Sequence, residues 1–296
     1  MPRMRYEGQI YRPPSEGESL ILQATIGCSY NRCSYCAMYL QKRFRPRDPA
    51  ELVEDMELAA RFHGAENVTK VFLADGDALI LRTKRLLEIC GQLNQRFPNL
   101  RRISAYASPQ SLLAKSVDEL AELHAAGLTQ HYLGAETGHP EVLELIAKGV
   151  DRDQLIDAGR RVVDAGSKLS VILLLGIGGV DLSHEHAVAS GTLISAIDPR
   201  FVSTLTITPV PGTGFAEDVT SGRVVLPGER EMLVEQRTMI EHMDVTRAIY
   251  RGNHVSNSLP IGGNLPRDKQ ALLATIDEVL ADPTIELRPR PSPQSL

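Results

Sequence analysis

Three cysteines stand in one short segment, and their thiols have the strongest metal-binding chemistry in the chain. Cys28, Cys33 and Cys36 lie in TIGCSYNRCSYCAMY (25–39) with the spacing C-x4-C-x2-C, and Cys90 is the only other cysteine. With so few cysteines a disulfide framework is not expected, and clustered cysteines in a reducing compartment bind metal more often than they pair. The spacing therefore predicts a metal or cluster site.

Several kinds of site could use these thiols. Structural zinc takes four ligands, but the first histidine of the chain, His63, is far from the cysteines in sequence. A fully ligated electron-transfer cluster takes four cysteines, whereas the segment around Cys90, LLEICGQL, predicts a core position on a helix. A 4Fe–4S cluster with three protein ligands and one iron open to an outside ligand agrees best with the pattern. An open coordination position indicates chemistry, as it does at catalytic zinc.

Strand and helix patterns alternate around this segment. The predicted strands cover 20–25, 69–75, 101–107, 131–136, 168–179, 201–210 and 245–251. The predicted helices cover 48–62, 84–97, 116–127, 140–149, 153–166, 183–197, 229–243 and 267–281. Repeated strand–helix units with apolar strands predict an α/β fold with a mostly parallel sheet. Either an open doubly wound sheet or a barrel satisfies this pattern, and both form sites at the carboxyl ends of their strands.

Composition and charge restrict the class of protein. The chain has 296 residues and a formal net charge of −5, so it has no overall attraction to nucleic acid, and we expect no nucleic-acid partner. It has no apolar run long enough to span a membrane, and its N-terminus lacks the apolar stretch of a signal peptide. We therefore expect a cytoplasmic protein without a membrane partner.

Four further segments, together with the cysteines, resemble one known family. They are FLADGDAL (72–79), YLGAETGHPEVLELIAKG (132–149), LLLGIGG (173–179) and PVPGTG (209–214). In this order on successive strand ends, they resemble the radical S-adenosylmethionine (SAM) superfamily, in particular the subgroup of coproporphyrinogen dehydrogenases and tRNA methylthiotransferases. Tyr35 supplies the aromatic residue that the family has before its last cysteine. The first cysteine gap, C-x4-C, is one residue longer than the usual C-x3-C of the family.

The resemblance covers about residues 20–215 and implies both fold and cofactors. The implied fold is a partial (β/α)6 TIM-like barrel with mostly parallel strands. We expect an N-terminal arm over 1–19, the barrel over 20–251, and a C-terminal helical extension with a loose tail over 252–296. The implied cofactors are a 4Fe–4S cluster on Cys28, Cys33 and Cys36, and SAM bound through its amine and carboxylate to the open iron.

SAM offers an amine, a carboxylate, a sulfonium and a ribose, and each needs a partner. The expected cofactor contacts are Tyr35, Asp75, Gly76, Asp77, Glu136, Lys148 and Gly176. Glycine lets the backbone approach a ligand closely, and a carboxylate can accept hydrogen bonds from an amine or from ribose. Each assignment has a structural alternative: DGD as a strand-to-helix turn, Glu136 as a carboxylate favoured at a helix N-terminus, and Lys148 as a cation favoured at a helix C-terminus.

The substrate contacts are predicted from two polar segments. Arg43 and Arg45 flank Phe44 and could clamp a carboxylate or phosphate, or they could be ordinary solvated residues. His254 and Asn257 follow the last strand and could contact substrate or form a local turn. We therefore expect an enzyme that starts radical chemistry on a small anionic molecule, with an electron donor such as flavodoxin or ferredoxin.

Alternative functions remain at this point. A non-catalytic iron–sulfur electron carrier or cluster-binding protein would need the cysteines but no SAM contacts. Within the radical SAM class, coproporphyrinogen-type oxidation and RNA modification are the alternatives.

Overall fold

The structure is a computed structural model that describes residues 4–289. Its strands are β1 (Leu20–Gln23), β2 (Thr25–Ile26), β3 (Arg45–Pro46), β4 (Lys70–Ala74), β5 (Arg102–Ala107), β6 (Leu128–Glu136), β7 (Lys168–Leu175), β8 (Phe201–Thr206), β9 (Ala248–Gly252) and β10 (Ile261–Leu265). Its α-helices are α1 (Pro49–His63), α2 (Thr83–Arg96), α3 (Pro109–Leu113), α4 (Val117–Ala125), α5 (Pro140–Leu145), α6 (Arg152–Asp164), α7 (Ser183–Ile197), α8 (Gly214–Thr220), α9 (Glu229–Glu241) and α10 (Lys269–Ala281).

The described residues form two compact units, and the first comprises 4–31, 38–133 and 161–169. In it β1, β4, β5 and β6 are neighbours in that order, and each neighbouring pair is parallel. Strand β4 is buried over Val71–Ala74. A strand covered on both faces has no need for alternating polar residues, which is why the sequence KVFLA is almost continuously apolar.

The second unit comprises residues 32–37, 134–160 and 170–289. It holds the last three residues of β6, followed by β7 from Ser170 onward and by β8, β9 and β10. Strands β7, β8 and β9 pair in parallel, whereas β10 pairs antiparallel to β9. The predicted α/β fold with mostly parallel strands is therefore confirmed.

Local sequence signals set several of the helix boundaries. Helix α4 begins with a capping box: the Ser116 side chain accepts the Glu119 backbone N–H, and the Glu119 side chain accepts the Ser116 N–H. Helix α1 has a one-way cap: the Asp48 side chain accepts the backbone N–H groups of Ala50 and Glu51, and Pro49 lies in the first turn. These side chains satisfy backbone donors that have no partner within the helix.

The segment 140–149 departs from its prediction. Helix α5 ends at Leu145, because Ala147 and Gly149 adopt positive φ angles of 50° and 72°. The chain thus leaves the helix before Lys148, whose N–H donates to the Leu143 carbonyl at 3.0 Å in the C-terminal cap of α5.

Strand β10 was not predicted from the sequence. Its residues, IGGNL, include two adjacent glycines, which are depleted in strands. Backbone pairing with β9 nevertheless places Gly262 opposite Arg251 and Gly263 opposite Tyr250.

The residues before β1 belong to the first unit and pack against its strands. The buried Glu16 carboxylate accepts the Tyr132 hydroxyl at 2.5 Å and two Arg102 contacts at 2.8 and 2.9 Å. Ile10 packs against the buried cluster that includes Phe72. The division into an arm over 1–19, a barrel over 20–251 and an extension over 252–296 stays a prediction, and the end of the predicted loose tail, 290–296, lies outside the described residues.

None of the helices described between residues 4 and 289 is both long and apolar enough to cross a membrane.

Candidate functional site

The first unit holds Cys28 in a loop that is anchored by a buried carboxylate. Asp75 follows the end of β4, and its carboxylate accepts the backbone N–H of Gly27 at 2.7 Å and the side-chain amide of Gln23 at 3.2 Å. The Lys42 ammonium lies 3.0 Å from both carboxylate oxygens. Asp75 thus links Gly27 and Lys42, which lie on either side of the cysteines, to the end of β4. Its removal would leave the Lys42 ammonium and the Gln23 amide with only the carbonyls of Gln9 and Glu7 as acceptors.

Gly76 lies against the first cysteine. Its N–H donates to the Gly27 carbonyl at 3.1 Å. A Cβ added at Gly76 would lie 2.7 Å from the Cys28 Cβ and 2.8 Å from the Tyr39 ring. No side chain fits in this space, which agrees with the close approach expected of a glycine here.

Asp77 is also bound by protein groups. Its carboxylate accepts the hydroxyls of Ser29 at 2.5 Å and Ser108 at 2.8 Å, together with the Ser108 N–H at 3.1 Å. The turn interpretation of DGD therefore has structural support in the first unit. Contact of Asp75, Gly76 or Asp77 with a cofactor stays a prediction.

The basic residues that follow the cysteines form ion pairs with different acids. Lys42 binds Asp75, Arg45 pairs with Glu7, and the buried Arg47 lies 2.8 Å from Asp55. Arg43 is exposed. Of the two predicted anion-binding arginines, Arg45 thus forms an ion pair at an exposed position, and their contact with substrate stays a prediction.

The second unit holds Cys33, Tyr35 and Cys36. Ser34, between them, donates its N–H to the Ile146 carbonyl at 2.9 Å and its hydroxyl to the Leu145 carbonyl at 3.1 Å. The Ser34 carbonyl in turn accepts the Phe215 N–H at 2.9 Å. These bonds connect the cysteine segment to the end of α5 and the start of α8. Tyr35 packs against the apolar cluster that contains Ile146 and Phe215.

Glu136 and Lys148 form a buried ion pair in the same unit. Glu136 ends β6 with a φ of 68°, and its Oε1 lies 3.1 Å from the Lys148 Nζ. Each side chain is 7% exposed. A Cβ added at Gly134 would lie 2.2 Å from the Glu136 Oε1, so glycine leaves the space that this carboxylate occupies. The structure thus brings together two residues that were predicted separately.

Charge links this ion pair to the cysteines. Burial raises the pKa of the Tyr35 hydroxyl well above its usual range, and the negative charge of Glu136 raises it further. Burial alone would lower the pKa of Lys148, but Glu136 and the thiols of Cys33 and Cys36 raise it above its ordinary value. Lys148 is therefore a cation that can stabilise thiolates beside it.

The donor chemistry fits an iron–sulfur cluster. The three loop cysteines are half-buried thiols, whereas Cys90 is buried and its pKa is raised to about 12 by burial. In residues 4–289, no three His, Cys, Asp or Glu side chains meet at one metal-ion position. In a cluster, each thiolate binds a separate iron, and thiolate is the ligand that such clusters use.

Gly176 lies at a turn after β7. Its φ is 78°, its N–H donates to the Glu235 carboxylate at 2.6 Å, and an added Cβ would lie 2.4 Å from the Met232 methyl group. Its predicted cofactor contact is not tested by these bonds and stays a prediction.

Asn257 has a structural role after β9. Its buried amide donates to the carbonyls of Thr204 at 2.8 Å and Gly252 at 2.9 Å. His254 contacts the Ser256 hydroxyl at 2.8 Å through Nδ1, and burial lowers the pKa of its ring. These bonds support the local-turn interpretation, and contact with substrate stays a prediction.

Two residues that hold the cysteine segment, Lys42 and Ser34, were not predicted from the sequence. A basic residue just after clustered cysteines could have suggested a role for Lys42. The partners of Ser34 are distant in sequence, and no local pattern indicates them.

Comparison with known proteins identifies a family. The model of the radical SAM superfamily matches residues 22–190. The chain is 25% identical over 213 residues to an uncharacterised methyltransferase of Pyrococcus horikoshii, covering 70% of this chain and 43% of that protein. It is 27% identical over 184 residues to GTP 3',8-cyclase 1 of Pseudomonas aeruginosa, covering 60% of this chain and 53% of that protein. The chain thus spans about half the length of these relatives.

A solved structure shows the fold. The crystal structure of methylornithine synthase is similar with a TM-score of 0.54 and 17% identity, covering 87% of this chain and 68% of that one. The predicted fold class, a partial (β/α)6 TIM-like barrel with mostly parallel strands, is confirmed by this likeness together with the strand pairing.

The close approach at Gly76 can be tested by adding one methyl group. Gly76→Ala should lower the free energy of unfolding by about 1–3 kcal/mol, because the new Cβ collides with Cys28 and Tyr39. The control is Gly91→Ala in α2, where an added Cβ meets nothing within 4 Å. This change should raise the free energy of unfolding by roughly 0.5–1 kcal/mol, because alanine is favoured over glycine within a helix. Anaerobic urea unfolding measures both. Equal stability of Gly76→Ala and wild type would contradict the described packing.

Proposed function

This chain belongs to the radical SAM superfamily and is an enzyme, and from that premise we propose that it binds a 4Fe–4S cluster through Cys28, Cys33 and Cys36 and binds SAM beside the Glu136–Lys148 pair. The observation that carries the proposal is this buried pair, because the negative charges of Cys33 and Cys36 help to raise the pKa of its Lys148. When bound and reduced, the cluster and SAM supply a 5′-deoxyadenosyl radical that removes a hydrogen atom from substrate.

The chain's own residues prepare this site. Asp75 and Lys42 hold the loop of Cys28, and the bonds of Ser34 hold the segment of Cys33 and Cys36. A ligand set fixed before the cofactor arrives loses less conformational entropy on binding.

Glu136 and Lys148 match the two charged ends of an amino acid. The carboxylate of Glu136 can accept hydrogen bonds from an ammonium group or from ribose hydroxyls, and the ammonium of Lys148 can pair with a carboxylate. Because both side chains are nearly buried, their interactions with a ligand would be weakly screened by water. The pair thus supports recognition of SAM by the protein.

We further propose that the substrate is a small anionic molecule. Arg43 is exposed, Arg45 forms an ion pair with Glu7 at an exposed position, and a guanidinium group can bind carboxylate or phosphate bidentately. One relative is named as a GTP cyclase, which is consistent with a phosphorylated substrate, and the other is named as a methyltransferase, which makes methyl transfer a second candidate reaction. A one-electron donor such as flavodoxin or ferredoxin in a reducing cytoplasm would reduce the cluster.

The cluster ligands can be tested by removing one thiol at a time. Replacing Cys28, Cys33 or Cys36 by Ala should abolish the normal 4Fe–4S signal, because each thiolate holds its own iron. Cys90→Ala should keep it, since that thiol is buried with its pKa raised by burial. Iron analysis and EPR after anaerobic reconstitution measure the four variants. Loss of the cluster in Cys90→Ala would overturn the three-ligand assignment.

The SAM contacts can be tested by calorimetry. Glu136→Ala and Lys148→Ala should each weaken SAM binding by about 1–3 kcal/mol, the cost of leaving a buried polar partner unpaired. Glu144→Ala, an exposed position on α5, is the matched control and should bind SAM normally. Wild-type affinity in both test variants would show that the SAM site lies elsewhere.

The nature of the substrate can be tested through the two arginines. Reconstituted protein with SAM and dithionite should form 5′-deoxyadenosine faster when its substrate is present, and nucleotides and carboxylates are the first compounds to screen. Arg43→Gln combined with Arg45→Gln should raise the KM of the active compound about tenfold, because charge-assisted hydrogen bonds are lost. Substrate-independent SAM cleavage should continue.

Arg61→Gln, an exposed change in α1, is the control for loss of surface charge. An unchanged KM in the double variant would contradict the role of the arginines. Retention of tRNA by the purified protein, or activity on tRNA, would exclude the small-molecule proposal.

A further inference from the structure

A buried histidine of α7 connects two strand ends in the second unit. The Nε2 of His186 lies 3.1 Å from the Leu174 carbonyl, and its Nδ1 lies 2.7 Å from the Thr137 hydroxyl. The Thr137 hydroxyl oxygen also accepts the His139 N–H at 2.9 Å. His186 is completely buried. Its ring therefore joins the end of β7 to the turn that follows Glu136.

These contacts determine the position of each proton. A carbonyl only accepts hydrogen bonds, so Nε2 of His186 carries a hydrogen and donates it to Leu174. In the neutral ring Nδ1 then accepts, and the Thr137 hydroxyl donates to it. Burial lowers the pKa of His186 to about 4, which agrees with a neutral ring at neutral pH.

The same turn has a second attachment to α7. Gly138 donates its N–H to the Ser190 hydroxyl at 2.9 Å, and Arg152 donates to the carbonyls of Gly138 at 3.1 Å and Ala189 at 2.5 Å. A Cβ added at Gly138 would lie 2.2 Å from the Ala189 carbonyl oxygen. The turn is thus held by hydrogen bonds and by close backbone contact.

A buried acid of α9 completes the surroundings of His186. The Glu235 carboxylate accepts the Gly176 N–H at 2.6 Å and the Ser183 hydroxyl at 2.5 Å, and its Oε1 lies 3.5 Å from His186 Nε2. Burial raises the pKa of Glu235 to about 7. Since Nε2–H lies closer to the Leu174 carbonyl, that carbonyl is its main acceptor.

We infer that His186, acting with Thr137 and Ser190, is a positioning residue that holds the turn after Glu136, so that the Glu136 carboxylate stays paired with Lys148 and directed at SAM. This inference rests on the proposed SAM site. Glu136 has a left-handed backbone, which costs roughly 1–2 kcal/mol for a residue with a Cβ. Without the hydrogen bonds of His186, Thr137 and Ser190 the turn can relax, and the Glu136 carboxylate then moves away from Lys148.

The first test measures the tautomer and the protonation state of the His186 ring and requires no cofactor. Long-range ¹H–¹⁵N spectra of wild type, assigned by comparison with His186→Gln, should show the His186 ring as the neutral Nε2–H tautomer at neutral pH. It should show no titration near the ordinary histidine pKa of about 6.5. The exposed His184, two positions earlier on α7, is the internal control. Titration of His186 like that of an exposed histidine, or the opposite tautomer, overturns the inference.

The second test measures SAM affinity of the reconstituted protein by calorimetry. Thr137→Val removes the hydroxyl that donates to His186 and should weaken SAM binding about tenfold, because the turn that positions Glu136 loses a buried hydrogen bond. Thr137→Ser keeps the hydroxyl and should restore the affinity, which a merely space-filling role would not predict. His186→Gln should resemble Thr137→Val, and His184→Gln should resemble wild type.

The outcomes separate this inference from the proposed function. Wild-type affinity in Thr137→Val, with weakened binding in Glu136→Ala, overturns the inference alone. Wild-type affinity in Glu136→Ala overturns the SAM site and the positioning role together. Should His186→Gln fail to fold, the comparison of Thr137→Val with Thr137→Ser still decides.

Discussion

A carboxylate buried inside a protein must be fully paired, and Asp75 meets this requirement with partners from three separate segments. It takes a backbone N–H from the cysteine loop at Gly27, an ammonium from Lys42 and an amide from β1 at Gln23. An unpaired charge at this depth would cost several kcal/mol. Through this one residue the loop of Cys28, the segment after the cysteines and the strands β1 and β4 are stabilised together. The close packing of Gly76 on Cys28 depends on the same arrangement.

The fold was largely predictable because its signals are local. The apolar run of β4, the capping box of α4 and the Asp-Pro start of α1 each lie within a few residues, and each element formed where expected. The errors occur where tertiary contacts decide. Strand β10 contains two glycines and forms because β9 offers backbone partners. Helix α5 ends early at Leu145, although propensity favours its continuation.

The candidate site could be predicted in its residue types but not in its connections. The cysteines were evident from spacing, and Glu136 and Lys148 were identified from segments that resemble a family. Their mutual ion pair was not predicted, because it requires the chain to leave α5 before Lys148. Likewise, the contacts of His186 were not predicted. Its partners, Leu174 and Thr137, lie 12 and 49 positions away, a range at which local patterns carry no information.

Two acidic residues at strand ends share an uncommon backbone conformation. Asp75 has a φ of 67° and Glu136 a φ of 68°, a region in which glycine would be less strained. Glycine at either position would relieve the backbone but remove a carboxylate that neighbouring cations pair with. The strain at each position is offset by the contacts that its carboxylate makes, with Gly27 and Lys42 for Asp75 and with Lys148 for Glu136. Engineering for thermostability often replaces a residue of positive φ by glycine, and this change would be damaging at these two positions. Local backbone preference alone would select glycine at both, and the carboxylate would be lost.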